Sequence, residues 1–201
     1  MSNHRFAAIL LAAGASTRLG QPKQLIQLNG ESLLRRTARL ASEIGCDPIL
    51  VVLGYESERM QQELNDLHAK TVINPDWQSG MGSSLRCGIQ ALQKENPIPE
   101  RVLLLLSDQP WLSTDILQAL VTKSATENPR IVASNYAGRL GVPAVFHKSV
   151  YAALQCVEGD KGARQIIQQY QDQVASIDFP EGVIDIDTTE DLAALRATSP
   201  E

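Results

Sequence analysis

Two short segments of the sequence carry polar residues of the kinds that bind phosphate and metal. The first, residues 14–23, is a run of small and polar residues that contains two cations, Arg18 and Lys23. Small residues let backbone N–H groups approach a ligand, and N–H donors together with cations are what a triphosphate needs. The second segment centres on Asp108, which follows the apolar run 102–106. We expect this carboxylate at the end of a strand, because burying it unpaired would be too costly.

Asp108 and Asp187 are candidate ligands for Mg²⁺. This ion prefers one or two carboxylates together with phosphate oxygens and water. Asp187 follows another predicted strand, Val183-Ile-Asp-Ile186, so one hypothesis is that two carboxylates at the ends of two strands share one metal. The sequence leaves an alternative open for each. Asp108 also suits a turn before Pro110, and Asp187-Thr-Thr-Glu190 matches a capping box for a last helix.

The loop at residues 14–23 matches none of the common motifs. Five residues rather than four separate Gly14 from Gly20, and Gln21 follows, so the loop is not a P-loop. The G-x-G-x-x-G fingerprint of dinucleotide-binding proteins is absent from the sequence. A near match to the hydrolase motif G-x-S-x-G begins at Gly14 but has Arg18 in place of the last glycine. By spacing alone, a solvated surface loop is the alternative to a phosphate site.

Apolar runs alternate with amphipathic stretches along the chain, which predicts an α/β fold with a mostly parallel sheet. Strands are predicted at residues 6–13, 49–53, 71–73, 102–106, 131–133, 142–146, 174–179 and 183–186. Helices are predicted at residues 31–44, 56–67, 83–94, 113–127, 148–156, 162–171 and 188–197, with Gly45 and Ser113 as caps. Ligands bind beyond the carboxyl ends of parallel strands, so both polar segments are expected at one edge of the sheet.

Length and composition fit one domain spanning residues 1–201. Hydrophobic residues make up 43% of the chain, and Lys plus Arg (18) against Asp plus Glu (23) gives a net charge of −5. An acidic chain does not suit non-specific binding to nucleic acid or to an anionic membrane. No apolar run approaches the ~18 to 20 residues of a membrane span. Cys46, Cys87 and Cys156 are odd in number and far apart, so we expect buried thiols and a cytoplasmic location.

The string Leu11-Ala-Ala-Gly-Ala-Ser-Thr-Arg-Leu-Gly-Gln-Pro-Lys23 resembles a known signature. It is similar to L-A-A-G-x-S-x-R-M-G-x-x-K, which belongs to the nucleotidyltransferases that act on the molybdenum cofactor. Five more blocks follow in the family's order: Gly80-Met-Gly-Ser-Ser-Leu-Arg86, Ser107-Asp-Gln-Pro110, Gly141-Val-Pro-Ala-Val-Phe146, Gly159-Asp-Lys-Gly-Ala-Arg164 and Asp185-Ile-Asp-Thr-Thr-Glu-Asp191. The resemblance is greatest to the cytidylyltransferase branch, in part because of Ala13. Leu19 and Thr189 depart from the Met and Pro that are usual in the family.

This resemblance implies a Rossmann-like three-layer sandwich of the nucleotide-diphospho-sugar transferase type. It also implies an Mg²⁺-dependent enzyme that transfers CMP from CTP to the terminal phosphate of molybdopterin and releases pyrophosphate. Such a phosphate is mostly a dianion at neutral pH and attacks without a protein nucleophile. The implied partners are CTP, a molybdopterin-type acceptor and a molybdenum hydroxylase apoenzyme that receives the product.

The resemblance also assigns roles to individual residues. The implied catalytic residues are Arg18, Lys23 and Asp108, and the implied metal ligands are Asp108 and Asp187. The implied nucleotide-binding residues are Leu11, Ala12, Ala13, Gly14, Arg18, Lys23 and Ser83. The implied acceptor-binding residues are Gly141, Pro143, Lys161 and Arg164.

Several of these residues have structural alternatives. Ser83 also suits a helix N-cap, Gly141 and Pro143 a turn at a sheet edge, and Lys161 and Arg164 a solvated helix. Trp77 and Trp111 are expected near the mouth of the site, either stacked on a ligand or packed in the core.

Two other functions stay open at this stage. One is guanylyl or other nucleotidyl transfer to a different acceptor, such as a sugar phosphate or a phospho-acid. The other is a delivery chaperone that inserts the finished cofactor into a molybdenum hydroxylase.

Overall fold

The computed structural model describes residues 6–16, 19–184 and 191. A sheet of seven strands has the order β5-β4-β1-β6-β8-β7-β9. Its strands are β1 (Phe6–Ala12), β4 (Ile49–Leu53), β5 (Lys70–Ile73), β6 (Arg101–Leu106), β7 (Ile131–Tyr136), β8 (Arg139–His147) and β9 (Val174–Asp178), and a separate hairpin joins β2 (Gln27–Leu28) to β3 (Glu31–Ser32). Only β8 runs against the other strands of the large sheet, which confirms the prediction of a mostly parallel sheet.

Helices cover both faces of the sheet and make a three-layer α/β sandwich. They are α1 (Leu33–Glu43), α2 (Ser57–Gln62), α3 (Met81–Leu92), α4 (Thr114–Glu127), α5 (Tyr151–Gln155) and α6 (Arg164–Gln169). Buried side chains of α1, α2 and α4 form one core cluster, and those of α3, α5 and α6 form the other. No described helix is long and apolar enough to cross a membrane.

β1 shows why its sequence lacks polar alternation. Phe6, Ala8 and Leu10 belong to the core cluster on one face, whereas Ala7 and Ile9 belong to the cluster on the other. Every residue of the strand is buried. A strand that is covered on both faces has no position for a polar side chain until it leaves the sheet, so its polar residues begin in the loop that follows.

Local signals explain where α1 begins and ends. Ser32 is its N-cap and accepts a hydrogen bond from the backbone N–H of Arg35 at 3.2 Å. Gly45 has a φ of 79° just beyond the helix, as predicted. The helix begins later than expected because Glu31 belongs to the hairpin instead. Asn29 and Gly30 connect its strands with φ of 52° and 78°, as in a type I′ turn.

Three structural predictions need correction or fall outside the description. Val183 lies in a 3₁₀ turn, Pro180–Val183, rather than in a strand. Proline fixes its own φ and favours the start of such a turn, and Gly182 packs against Phe179. Residues 185–186 and the helix at 188–197, apart from Asp191, lie outside the described residues. Of the three cysteines only Cys46 is buried, whereas Cys87 is half-buried and Cys156 is exposed.

The cap of α1 gives a prediction for stability. Ser32→Ala removes the acceptor for the Arg35 N–H, so the free energy of unfolding should fall by about 1 kcal/mol. Urea denaturation followed by circular dichroism measures this change. Ser42→Ala, on the exposed side of the same helix, is the matched control and should change stability by less than about 0.5 kcal/mol. Equal effects of the two substitutions would contradict the assigned cap.

Candidate functional site

A cavity of about 470 Å³ opens beyond the carboxyl ends of β1 and β6. Its walls come from the loop after β1, the segment before α3, the residues after β6 and the segment before α6. It is lined by Leu11, Ala12, Ala13, Gly14, Ala15, Ser16, Leu19, Lys23, Gln24, Trp77, Gln78, Gly80, Met81, Ser84, Leu106, Ser107, Asp108 and Asp160. The two polar segments that the sequence singled out therefore meet in one cleft.

Lys23 and Asp108 form an ion pair inside this cleft. The Lys23 Nζ atom lies 2.5 Å from Asp108 Oδ2, and the two side chains are 21% and 14% exposed. The other carboxylate oxygen, Asp108 Oδ1, is buried and has no hydrogen-bond partner among the described residues. A buried carboxylate oxygen without a donor requires a partner such as a water molecule or an ion.

Residues 14–16, in the loop after β1, line the same cleft. The carbonyl of Ala13 accepts from the Tyr55 N–H at 3.0 Å, and that of Ser16 accepts from the Leu19 N–H at 3.0 Å. Within the described part of the chain, no acceptor faces the backbone N–H groups of Gly14, Ala15 and Ser16. Ser16 adopts a left-handed φ of 52°. Successive N–H groups in such a turn form a concave site for an anion.

Trp77 also forms part of the wall of the cleft. Its ring meets Tyr55 edge-on, with centroids 5.7 Å apart and planes at 63°. A hydrogen bond to Glu56 raises the pKa of the Tyr55 phenol. Gly54 lies directly under Trp77, where a Cβ atom would stand 2.6 Å from the tryptophan Cβ. Trp111, in contrast, packs against a separate small core that contains Leu19, so only Trp77 lies at the cleft.

Asn74 holds the beginning of α3 in place. It is buried and donates from Nδ2 to the hydroxyls of Ser83 and Ser84, at 2.9 and 3.0 Å. Ser84 lines the cleft, whereas the Ser83 hydroxyl lies within hydrogen-bond distance of the carbonyls of Asp76 and Gly80. The predicted alternative of a Ser83 cap is wrong, because Gly80 is the N-cap of α3. Nucleotide binding by Ser83 stays a prediction, although its side chain is already engaged by protein.

The segment before α6 closes the cleft from one side. The Gly82 N–H donates to the Gly159 carbonyl at 2.8 Å. A Cβ atom on Gly80 would stand 2.5 Å from the Asp160 carboxylate, and Gly80 has a φ of 98°. This close approach needs glycine at position 80. The same approach of the two segments places Asp160 in the wall of the cavity.

The four predicted acceptor residues lie outside the lining of the cavity. Lys161 and Arg164 are exposed and follow Asp160 along the chain. Gly141 and Pro143 lie in β8, at a register shift against β7, rather than in a turn at a sheet edge. Such an irregularity accommodates proline inside a sheet. Their proposed contact with an acceptor stays a prediction.

The side chains of the cleft suit a metal ion that is held mainly by a bound substrate and only in part by the protein. Among the described residues, no cluster of three or more His, Cys, Asp or Glu side chains is present. Asp108 and Asp160 are the carboxylates of the described cavity wall. Mg²⁺ is commonly bound by one or two carboxylates together with phosphates and water. The unpartnered Asp108 oxygen therefore fits such an ion. Arg18 and Asp187 lie outside the described residues.

The structure also brings residues to the cleft that sequence reasoning missed. They include Gln24, Met81, Ser84 and Asp160. Gln24 directly follows Lys23, and Asp160 lies in the block that was assigned to the acceptor, so chain proximity was the available signal for both. Ser83 and Ser84 are adjacent residues of α3, so their side chains point to different sides of the helix. The sequence does not show which of the two faces the cleft.

Comparison with known proteins places the chain in a family. The family described as the MobA-like NTP transferase domain matches residues 8–174. The chain therefore belongs to this family of nucleotidyltransferases, as its motifs predicted. It is 32% identical over 202 residues to the nicotine blue oxidoreductase of Paenarthrobacter nicotinovorans, covering 93% of this chain and 94% of that one. It is also 29% identical over 199 residues to the purine catabolism protein PucB of Bacillus subtilis, covering 94% of each.

Solved structures share the fold along nearly the whole chain. Rv0371c of Mycobacterium tuberculosis has a TM-score of 0.83 and 27% identity, covering 98% of this chain and 100% of that one. A complex of the same protein with manganese has a TM-score of 0.79 and 25% identity, covering 96% and 99%. The expected α/β nucleotidyltransferase fold is thus confirmed.

The contact of Gly54 with Trp77 gives a prediction for the wall of the cleft. Gly54→Ala puts a Cβ atom 2.6 Å from the Trp77 Cβ and 2.9 Å from the Ala13 carbonyl. Relief of this overlap should cost about 1–3 kcal/mol of stability and shift the Trp77 fluorescence, measured in a Trp111→Phe background. Gly14→Ala is the control for stability, because nothing lies within 4 Å of its added Cβ. An unchanged spectrum and stability in Gly54→Ala would contradict the packing described.

Proposed function

We propose that this protein transfers CMP from CTP to the terminal phosphate of a molybdopterin-type acceptor in the cytoplasm, with release of pyrophosphate. The observation that carries the proposal is the meeting of Lys23 and Asp108 in one cleft, beside the N–H groups of the loop after β1. A cation, a carboxylate and a row of backbone donors are the groups that a metal–triphosphate complex requires. The six sequence blocks similar to the molybdenum-cofactor branch of the family support this acceptor.

The loop after β1 is proposed to bind the triphosphate. The N–H groups of Gly14, Ala15 and Ser16 donate to phosphate oxygens, and Lys23 Nζ neutralises the charge that grows on the leaving pyrophosphate. Asp108 would hold Mg²⁺, with Asp187 as the proposed second ligand. When bound, this ion draws electron density from the phosphate oxygens and so favours attack at the α-phosphorus. Arg18 is proposed to add a second positive charge to the loop.

The remaining walls are proposed to fix the two substrates relative to each other. Ala12, Ala13 and Trp77 line the cleft, and the small side chains of the two alanines are proposed to leave room for the base. Lys161 and Arg164, exposed beside Asp160, are proposed to bind the acceptor phosphate. The acceptor phosphate is itself the nucleophile, because it is mostly a dianion at neutral pH. What the protein supplies is position and charge.

The relative named nicotine blue oxidoreductase supports a second candidate function. Its identity of 32% extends over 93% of this chain, so a redox activity on a similar compound is the alternative to nucleotidyl transfer. The same cleft would then have to bind a reduced dinucleotide. This chain lacks the G-x-G-x-x-G fingerprint, which favours nucleotidyl transfer over the redox function.

A transfer assay tests the proposed function. The protein, Mg²⁺, molybdopterin and α-labelled CTP should yield labelled cofactor and one pyrophosphate per transfer, whereas GTP should react at least about tenfold more slowly. A sugar phosphate in place of molybdopterin should yield nothing. Pyrophosphate release with the sugar phosphate alone would contradict the acceptor. Reduction of nicotine blue by a reduced dinucleotide, with no transfer of label, would favour the redox function.

The ion pair between Lys23 and Asp108 predicts how metal and nucleotide binding are linked. Lys23 covers Asp108 Oδ2 at 2.5 Å, so a cation that binds through this oxygen must displace the lysine. Lys23→Met should weaken CTP binding at least about tenfold, since it removes a charge-assisted contact. The same substitution should strengthen the binding of Mn²⁺ alone several-fold, because it uncovers Asp108. Calorimetry measures the first effect and electron paramagnetic resonance the second.

Two further variants complete this comparison. Lys148→Met removes the same charge from the pair that Lys148 forms with Glu100 at a distance of 2.9 Å, outside the cleft, and should change neither affinity. Asp108→Asn in the Lys23→Met background should abolish the gain in Mn²⁺ affinity. A gain that survives this second substitution would show that the manganese binds elsewhere.

A further inference from the structure

Gln24 is a buried polar residue in the wall of the cleft. Only 1% of it is exposed. Its Nε2 atom donates to two backbone carbonyls of the loop after β1, that of Ala12 at 3.1 Å and that of Gly14 at 2.7 Å. One side-chain amide therefore donates to the residue before Ala13 and to the residue after it.

The two carbonyls fix the orientation of the Gln24 amide. Turning the amide over would point its oxygen at two carbonyl oxygens and leave all three without a donor. In the observed orientation Oε1 is buried and has no partner. A buried acceptor without a donor is unfavourable, and an apolar side chain of similar size would avoid it. What the glutamine contributes is therefore its pair of donors.

These contacts determine which groups the loop presents to the cleft. Gln24 engages the carbonyls of Ala12 and Gly14, and the Tyr55 N–H engages that of Ala13. All three carbonyl oxygens are thus bound by protein, whereas the N–H groups of residues 14–16 have no acceptor in the described part of the chain. A rotated peptide here would turn an oxygen towards the ligand and repel a phosphate.

A second contact joins the same two segments. The Lys23 N–H donates to Ser16 Oγ at 3.1 Å, next to the contact of Gln24 with Gly14. Residues 16 and 23 are therefore joined directly. As a result, the position of the Lys23 backbone depends on the same contacts that orient the N–H groups.

We propose that Gln24 is a positioning residue for the nucleotide: it holds the loop after β1 with its N–H groups towards the triphosphate, without itself touching the substrate. This inference rests on the proposed nucleotidyl transfer but not on the choice of base, since it concerns the phosphates. Loss of the Gln24 donors lets the Ala12–Ala13 and Gly14–Ala15 peptides rotate, because their carbonyls are the ones that Gln24 engages. The loss affects the nucleotide side of the reaction alone.

Glutamine substitutions at positions 24 and 27 test the proposal. Gln24→Met keeps the approximate volume and removes both donors, so Mg²⁺-dependent binding of CTP and of GTP, measured by calorimetry, should weaken about tenfold. In the transfer assay the KM for the nucleotide should rise, while the KM for molybdopterin stays within about twofold. Gln27→Met is the matched control, because the Gln27 side chain is exposed and, among the described residues, its amide donates only to the Leu25 carbonyl, at 3.4 Å. It should leave both values unchanged.

The pH dependence of Gln24→Glu distinguishes positioning from a general effect on folding. An ionised carboxylate cannot donate to the Gly14 carbonyl, and burial raises the pKa of such a group. As the pH falls, the protonated acid regains one donor. The nucleotide affinity of Gln24→Glu relative to the parent protein should therefore recover at acid pH, and that of Gln27→Glu should not. Gln24→Glu also tests the positioning role of Gln24 if Gln24→Met does not fold.

The outcomes separate this proposal from the proposed function. If the parent protein binds neither CTP nor GTP, both proposals are wrong. If the parent binds a nucleotide and Gln24→Met binds it equally well, or if Gln24→Glu shows no recovery at acid pH, only the role of Gln24 is wrong. A parallel rise in the KM for nucleotide and acceptor would also contradict positioning of the nucleotide alone.

Discussion

One ion pair connects the two parts of the chain on which the cleft depends. Lys23 and Asp108 are 85 positions apart, yet their charged groups lie 2.5 Å from each other. They meet because β1 and β6 are parallel neighbours, so the loops that follow them leave the same edge of the sheet. The carboxylate has one oxygen against the lysine and one without a donor. A cation with its own phosphate ligands satisfies both groups at once, because the lysine then pairs with phosphate and the carboxylate with the cation.

The strands of the sheet were predictable from the sequence wherever both faces of a strand are buried, because such a strand contains few polar residues. β4 has the predicted bounds, Ile49–Leu53, because both neighbours and both helical layers require apolar side chains there. The hairpin of β2 and β3 was missed, since strands of two residues are too short to show a period. The run at 183–186 alternates like a strand, but Pro180 and Gly182 favour a turn just before it. Local backbone chemistry outweighed the pattern at Val183, which lies in the turn.

The chemistry of the cleft was predictable at the level of charged residues. Lys23 and Asp108 are charged residues that follow two apolar strands. A parallel sheet brings the ends of such strands, and so these two residues, to one edge. Gln24 and Ser84 were not predictable in this way, since their roles depend on where backbone carbonyls lie and on which side of a helix faces the cavity. Trp77 and Trp111 illustrate the same difficulty: similar side chains on neighbouring loops have different surroundings, one in the cleft and one in a small core.

The most direct test of the central claim is a crystal structure of the protein with CTP and Mn²⁺, with the metal located by anomalous scattering. The account predicts one manganese ion bound to the carboxylate of Asp108 and to phosphate oxygens of CTP. It also predicts that Lys23 has left Asp108 and contacts a phosphate. A nucleotide bound outside this cleft, or a manganese ion bound away from Asp108 while the Lys23–Asp108 pair stays closed, would contradict it.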